Sequence, residues 1–344
     1  MNMQGFTYID LAVLIVYLLA VLLAGLHFAK KEMQGKEYFK GDGTVPWWVT
    51  SVSIFATLLS PISFLSLAGN SYAGSWLLWF AQLGMLLAIP LTIKFFLPIY
   101  SSLDIDTAYH YLELRFGSKF LRVLGAVMFI IYQIGRMSII MYLPCMVLAE
   151  LMGINVNILI IIMGIIAIIY SYTGGLKTDF IQGSVLLIGV TFGLIFLISH
   201  LDGGFGAILN EFTNNHKFLA ENEPIFDANI LKNSVFLLIV GAGFNTMSSY
   251  VSSQDIVQRF TTTTDTKKLN KMMLANGGLS IFIATVFYLI GTGLYAFYQT
   301  QGNPLPPAAQ QDQIFASWIA FELPVGGTGL LLAAIYAAAQ STLS

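Results

Sequence analysis

The sequence predicts an all-α, multi-spanning membrane protein. Hydrophobic residues make up 56% of its 344 positions and charged residues only 10%. The mean hydropathy is +0.75. A soluble chain of this length needs many more charges to cover its surface. The apolar runs are also long enough to cross a bilayer, since about 20 residues at 1.5 Å rise span a hydrocarbon core of roughly 30 Å.

Nine spans are expected, near residues 8–28, 45–70, 76–99, 122–151, 157–173, 179–199, 234–258, 273–299 and 322–344. The first is not a secretory signal. Its N-terminal flank carries no Lys or Arg, whereas Lys30, Lys31, Lys36 and Lys40 follow it, the reverse of a signal peptide's charge order. Alternate loops then hold Arg115, Lys119 and Arg122, next Lys177, and next Arg259, Lys267, Lys268 and Lys271. The opposite loops hold only Lys217 and Lys232, so the charge bias predicts an outside N-terminus. Trp47 and Trp48 fall where an interfacial aromatic belt is expected. Segments 200–233 and 300–321 read as outside loops with short surface helices, the second broken by Pro304, Pro306 and Pro307.

A net charge of −2 gives no basic excess for nucleic acid, and the single Cys145 excludes a disulfide or thiolate-metal framework. No HExxH or GxSxG pattern occurs, and the four His residues lie near span ends or in loops, so no enzyme is expected. No ring of pore-lining charges suggests a channel.

The chemistry lies in breaks and polar residues inside spans. Ser51–Ser63 reads SVSIFATLLSPIS, with Pro61 midway along the second span and hydroxyls at Ser51, Ser53, Thr57, Ser60 and Ser63. Either the span is a kinked helix whose hydroxyls bond back to it, or it unwinds and frees carbonyls for a sodium ion. Arg136 sits mid-span in IYQIGRMSII. Insertion there costs about 2.5–3.5 kcal/mol, so it either binds an anionic ligand bidentately or pairs with a carboxylate such as Asp179. Lys94, near a span end, is expected to snorkel.

Asp179 opens a span. It is either a cation-binding carboxylate or an N-terminal helix acid with Thr178 as cap. Gln82, close to Trp76 and Trp79, serves either a polar ligand or an interhelical hydrogen bond. Asp255 and Arg259 are spaced to pair on one helix face. The C-terminal YAAAQSTLS combines small residues with hydroxyls at Ser341, Thr342 and Ser344.

Together these stretches resemble the sodium:solute symporter family. The matching segments are EYFKGDGTVPWW at Glu37–Trp48, SVSIFATLLSPISFLSLAG, YTGGLKTDFIQG, SSQDIVQRF and AAQSTLS, in family order along the whole chain. Within the family, the IGR motif around Arg136 is similar to the bacterial sialic acid symporters. The resemblance implies a broken-helix fold of two inverted five-helix repeats, ending here after the eighth core helix. Residues 1–44 would form an extra N-terminal helix and loop, 45–200 the first repeat, 201–233 an outside loop, and 234–344 three helices of the second.

It implies substrate binding by Ser60, Ser63, Gln82 and Arg136, with Arg136 on the substrate carboxylate. It implies a sodium site at Ala56, Leu59, Ala338, Ser341 and Thr342, and a second at Asp179, Ser341 and Ser344, for one or two Na+. The implied activity is sodium-coupled import of a small carboxylated solute, sialic acid first, by alternating access in the bacterial inner membrane. The alternatives are a neutral sugar or monocarboxylate substrate, or a solute sensor on the same scaffold.

Overall fold

The computed structural model describes residues 6–32, 46–103, 107–229, 232–260, 265–305 and 313–343, and the described residues contain helices and no strands. Six helical segments are long and apolar enough to cross a membrane. A seventh crossing is a bent pair, and Val156–Ile169 and Gly327–Leu343 are shorter apolar helices. These nine segments coincide with the nine expected spans. Most of the EYFKGDGTVPWW motif lies outside the described residues.

Helix α1 (Tyr8–Glu32) comes first. The second span is two helices, α2 (Trp47–Leu58) and α3 (Pro61–Ala73), meeting at 70°. The third changes pitch along its length: a 3-10 stretch (Leu77–Gly84), α4 (Met85–Leu91), a π turn (Thr92–Phe96) and α5 (Leu97–Ser102). Then follow α6 (Ala108–Phe116), α7 (Lys119–Met152), α8 (Val156–His200) and α9 (Phe205–Asn214). The last group is α10 (Val235–Ser252), α11 (Gln254–Phe260), α12 (Thr266–Tyr295), α13 (Ile314–Phe321) and α14 (Gly327–Leu343).

Helix α14 is the centre of the molecule, with every residue from Gly327 to Thr342 buried except the half-buried Leu330. Small residues allow this close approach. A Cβ on Gly189 of α8 would press on Ala334, and one on Gly193 on Leu331. The N-terminus of α14 is held by α1: Asp10 Oδ1 accepts from Gly326 N (2.8 Å) and Gly329 N (2.9 Å). Those are donors that a helix start leaves unpaired. Tyr17 Oη donates to Gln340 Oε1 (2.7 Å) near the other end.

Helix α12 clasps α3. Ser71 Oγ donates to the Tyr288 carbonyl (2.7 Å) and lies 2.9 Å from Thr292 Oγ1. Gly291 faces the Ala68 carbonyl so closely that any Cβ there would overlap it.

Two expectations need correction. The predicted loop between spans at 157–173 and 179–199 is absent: helical hydrogen bonding continues through Gly174–Gly175 and Lys177 in α8. Glycine lowers helix propensity by about 1 kcal/mol without forbidding the helix, and no proline interrupts residues 156–200.

The helix within 300–321 is not at the surface. IFASWIAF is apolar on all sides, so it is buried, with Phe315 stacked on Phe64 and Trp318 against Phe196.

Segment 200–233 carries a short, mostly exposed helix, α9, as expected, and buried polar groups with it. Glu211 accepts from Thr300 Oγ1 (2.7 Å) and Asn215 Nδ2 (2.6 Å). Lys217 is 5% exposed and donates to the carbonyls of Tyr72 (2.8 Å) and Gly74 (3.1 Å), the free end of α3. Its Nζ also lies 3.7 Å from the Tyr295 ring centroid.

Two outcomes follow from this packing. Gly291→Ala is expected to lower stability by about 1–3 kcal/mol through overpacking. Gly278→Ala on the same helix, where nothing lies within 4 Å, is expected to be neutral or stabilising. Thermal unfolding in detergent compares the two. Burial pushes the Lys217 ammonium from its ordinary 10.5 down to about 8, opposed by Glu211. Between those pH values the unfolded chain holds a proton the folded protein has shed, so stability rises with pH across that window. Lys217→Met is expected to remove that rise, read as the difference between the two proteins' unfolding midpoints against pH.

Candidate functional site

The break between α2 and α3 is made by two residues in extended conformation. Leu59 has φ −87° and ψ 100°, and Ser60 has φ −83° and ψ 160°. Pro61 is the first residue of α3, where its missing N–H costs nothing. It starts a new helix and does not kink a continuous one. Ser60 caps that helix: its Oγ accepts from Ser63 N (3.3 Å) and lies 3.3 Å from Ser63 Oγ.

The last turn of α2 has carbonyls without helical partners. Helix α14 supplies hydroxyls for them. Ser341 Oγ reaches the Ala56 carbonyl (2.8 Å) and the Ala338 carbonyl (3.2 Å). Thr342 Oγ1 reaches the Ala338 carbonyl (2.8 Å) and, at 3.5 Å, the Leu59 carbonyl. The five residues expected at the first sodium site thus meet in one place, and all are buried. Three carbonyl and two hydroxyl oxygens suit a hard cation. The set carries no formal charge, which fits a monovalent ion better than a divalent one. The negative end of the α2 dipole points at it.

Thr57 joins this cluster to Arg136. Its Oγ1 donates to the Ser53 carbonyl (3.0 Å) and approaches the Ser341 carbonyl (3.2 Å). On the other side its carbonyl lies 3.5 Å from Arg136 Nη2. Arg136 Nη1 pairs with Asp255 Oδ2 at 3.2 Å, and both side chains are mostly covered. Asp255 thus reaches Arg136 on α7; the Arg259 side chain, expected to pair with it along the helix face, lies outside the described residues. This contact has no signal in the sequence, because the helix stops at Ser253 and restarts at Gln254, turning Asp255 inward.

Asp179 is 2% exposed and accepts from Ser53 Oγ (3.0 Å). It lies well inside α8, not at a helix start, so the N-terminal reading fails. Thr178 is no cap: its Oγ1 is buried without a hydrogen-bond partner. The same holds for both amide atoms of Gln182, one turn further along. Gln182 was missed by sequence reasoning, since one amide in an apolar run carries no signal of its own. Ser344 lies outside the described residues.

Ser60, Ser63 and Gln82 are half-buried, and no hydrogen bond joins any of the serines or Gln82 to Arg136. The indoles near Gln82 do not line an open pocket. Trp76 Nε1 donates to Thr292 Oγ1 (2.9 Å) and its ring is packed among Trp79, Phe212, Phe218 and Tyr288. Trp79 Nε1 donates to Thr285 Oγ1 (3.1 Å). Both tie the third span to α12. Lys94 is exposed, with Nζ 5.3 Å from the Phe95 ring centroid.

The sodium:solute symporter family profile matches residues 38–344. The chain belongs to that family. The sodium/sialic acid symporter SiaT of Proteus mirabilis is 34% identical over 348 residues, covering all of this chain and 70% of the relative. NanT of Aliivibrio fischeri, also a sodium/sialic acid symporter, is 29% identical, covering all of this chain and 68% of the relative. A solved structure of a Na+-coupled sialic acid symporter, substrate-bound and outward-open with a novel Na+ site, superposes with a TM-score of 0.90 at 33% identity. That match covers 98% of this chain and 72% of the other. The symporter fold and a multi-pass membrane location follow.

Proposed function

We propose that this protein imports a small carboxylated solute, sialic acid foremost, by sodium-driven alternating access. The observation that carries the reading is the meeting of Ala56, Leu59, Ala338, Ser341 and Thr342 at the helix break. Sodium there replaces the hydroxyl bridges between α2 and α14 and fixes the two helices against each other. The solute carboxylate binds Arg136, and its polar groups bind Ser60, Ser63 and Gln82 near the positive start of α3. The sialic acid relatives support that choice of solute.

Because Thr57 touches both Ser341 and Arg136, each ligand alters the surroundings of the other. Coupling requires only that both favour the same conformation. A second sodium at Asp179, Ser341 and Ser344 is supported by the burial of Asp179 and by the unpartnered Thr178 and Gln182 atoms beside it. Each sodium adds roughly 2.3 kcal/mol of drive per 100 mV. The charge bias of the loops supports an outside N-terminus, and membership of the symporter family supports a bacterial inner-membrane location with residues 45–200 and 234–344 as the two repeats.

Two measurements on proteoliposomes test this reading. Ser341→Ala is expected to raise the sodium concentration for half-maximal uptake about tenfold, equivalent to roughly 1.4 kcal/mol, with less change at saturating sodium. Sialic acid uptake indifferent to the sodium gradient would sink the proposal. Arg136→Ala is expected to weaken uptake of sialic acid by about a hundredfold or more, as loss of a charge-assisted bidentate contact does. A small loss would favour a neutral sugar, and ligand binding without flux would indicate a sensor.

A further inference from the structure

The Arg136–Asp255 pair has no place in a site that uses Arg136 only to hold a solute. We propose that Asp255 is an exchangeable counter-ion. It holds the Arg136 guanidinium at the helix break until a solute carboxylate displaces it, and so admits anionic solutes while releasing α11. This inference rests on the reading of Arg136 as the carboxylate-binding group.

Three features support it. First, a forked contact between the two Nη groups and a solute carboxylate needs Nη1, and Asp255 already holds Nη1. Here Nη1 is on Asp255 at 3.2 Å and Nη2 only reaches the Thr57 carbonyl at 3.5 Å, which is the geometry of a held group and not of a tightly closed bidentate pair. Second, the pair is partly open, with side chains 21% and 16% exposed, so a solute can approach it.

Third, Asp255 stands on a separable element. Helix α11 begins after the interruption at Ser253, and Asp255 Oδ1 accepts from Ile256 N (3.1 Å) in its first turn. Ile256, Val257 and Phe260 are buried, and Gln254 Oε1 accepts from Ala108 N (2.7 Å) at the start of α6. A shift of Asp255 is therefore a shift of α11 and its contact with α6.

The exchange also explains selection. Replacing one carboxylate by another leaves the charge of the covered site unchanged. A neutral solute must either leave the pair closed or strand an unpaired guanidinium, which is costly away from water. Asp255 is thus a positioning and specificity residue, acting on the solute through Arg136.

The test uses the whole protein in detergent with saturating sodium. Titration with N-acetylneuraminate and with its neutral carboxamide gives dissociation constants for wild type, Asp255→Asn, Asp255→Glu and Arg136→Ala. Asp255→Asn removes the competitor and is expected to tighten N-acetylneuraminate binding about three- to thirtyfold. Carboxamide binding should stay unchanged, and Asp255→Glu should restore wild-type affinity. In the wild-type protein, saturating N-acetylneuraminate should also speed amide hydrogen exchange across residues 254–260 about threefold or more. That second measurement depends on no variant folding.

Unchanged or weaker N-acetylneuraminate binding by Asp255→Asn, or unchanged exchange in 254–260, overturns the counter-ion proposal. If Arg136→Ala has meanwhile lost binding, the carboxylate-binding reading of Arg136 stands. If Arg136→Ala binds N-acetylneuraminate as tightly as wild type, that reading fails and takes this proposal with it.

Discussion

The structure turns on a deficit of backbone hydrogen bonds. Where α2 stops at Leu58, its final carbonyls lose their helical donors within the buried core. Two hydroxyls of α14, Ser341 and Thr342, make good that deficit. Everything else in the centre accommodates this contact. Helix α14 must lie deep enough to reach the break, so it is buried over nearly its whole length and built from Gly, Ala and Leu. Its neighbour α8 must come close as well, and does so at Gly189 and Gly193. Asp10 then holds the start of α14 from α1.

The same break separates two kinds of charge. The C-terminal end of α2 presents carbonyls and a negative dipole end, and the start of α3 presents N–H groups and a positive one. A cation is favoured on one side and an anion on the other, a few residues apart. Thr57 sits at the boundary. Its hydroxyl faces α14 and its carbonyl faces Arg136 on α7, so movement of either helix is felt at one residue. A continuous helix would have satisfied the carbonyls internally and left neither polarity available.

Sequence reading reached the features that depend on local chemistry. A span of apolar residues announces itself by length, which is why nine segments fell in place. Pro61 among hydroxyls announced an interruption, and the resemblance of AAQSTLS pointed to the partner helix. It failed where the outcome depended on distant partners. Gln82 beside Trp76 and Trp79 left a polar ligand and an interhelical bond both open, and only the fold shows that Thr292 and Thr285 of another helix meet the two indole N–H groups. The contact of Asp255 with Arg136, 119 positions away, had no signal in the helix spacing around it. Residues 174–178 read as a loop between two spans, although glycine weakens a helix without ending it. Lys217 counted as a loop charge because only the fold shows the α3 carbonyls and the Tyr295 ring that receive it.

The polar atoms beside Asp179 bring these points together. Thr178 and Gln182 leave three buried polar atoms without partners, and each costs about 1–3 kcal/mol when nothing else compensates. Packing alone does not ask for them, because the same face of α8 presents Gly183 directly to Val52 and Ala56 of α2. An apolar side chain at position 182 would have removed two of the three. The polar face is connected to the break through Ser53, which donates to Asp179 and whose carbonyl accepts from Thr57. The hydrogen-bond path from Asp179 to Ser341 therefore runs through α2 itself. A cation that reorganised the Asp179 cluster would act on the same last turn of α2 that a sodium between Ala56 and Ser341 fixes, and the two sites would share one moving part.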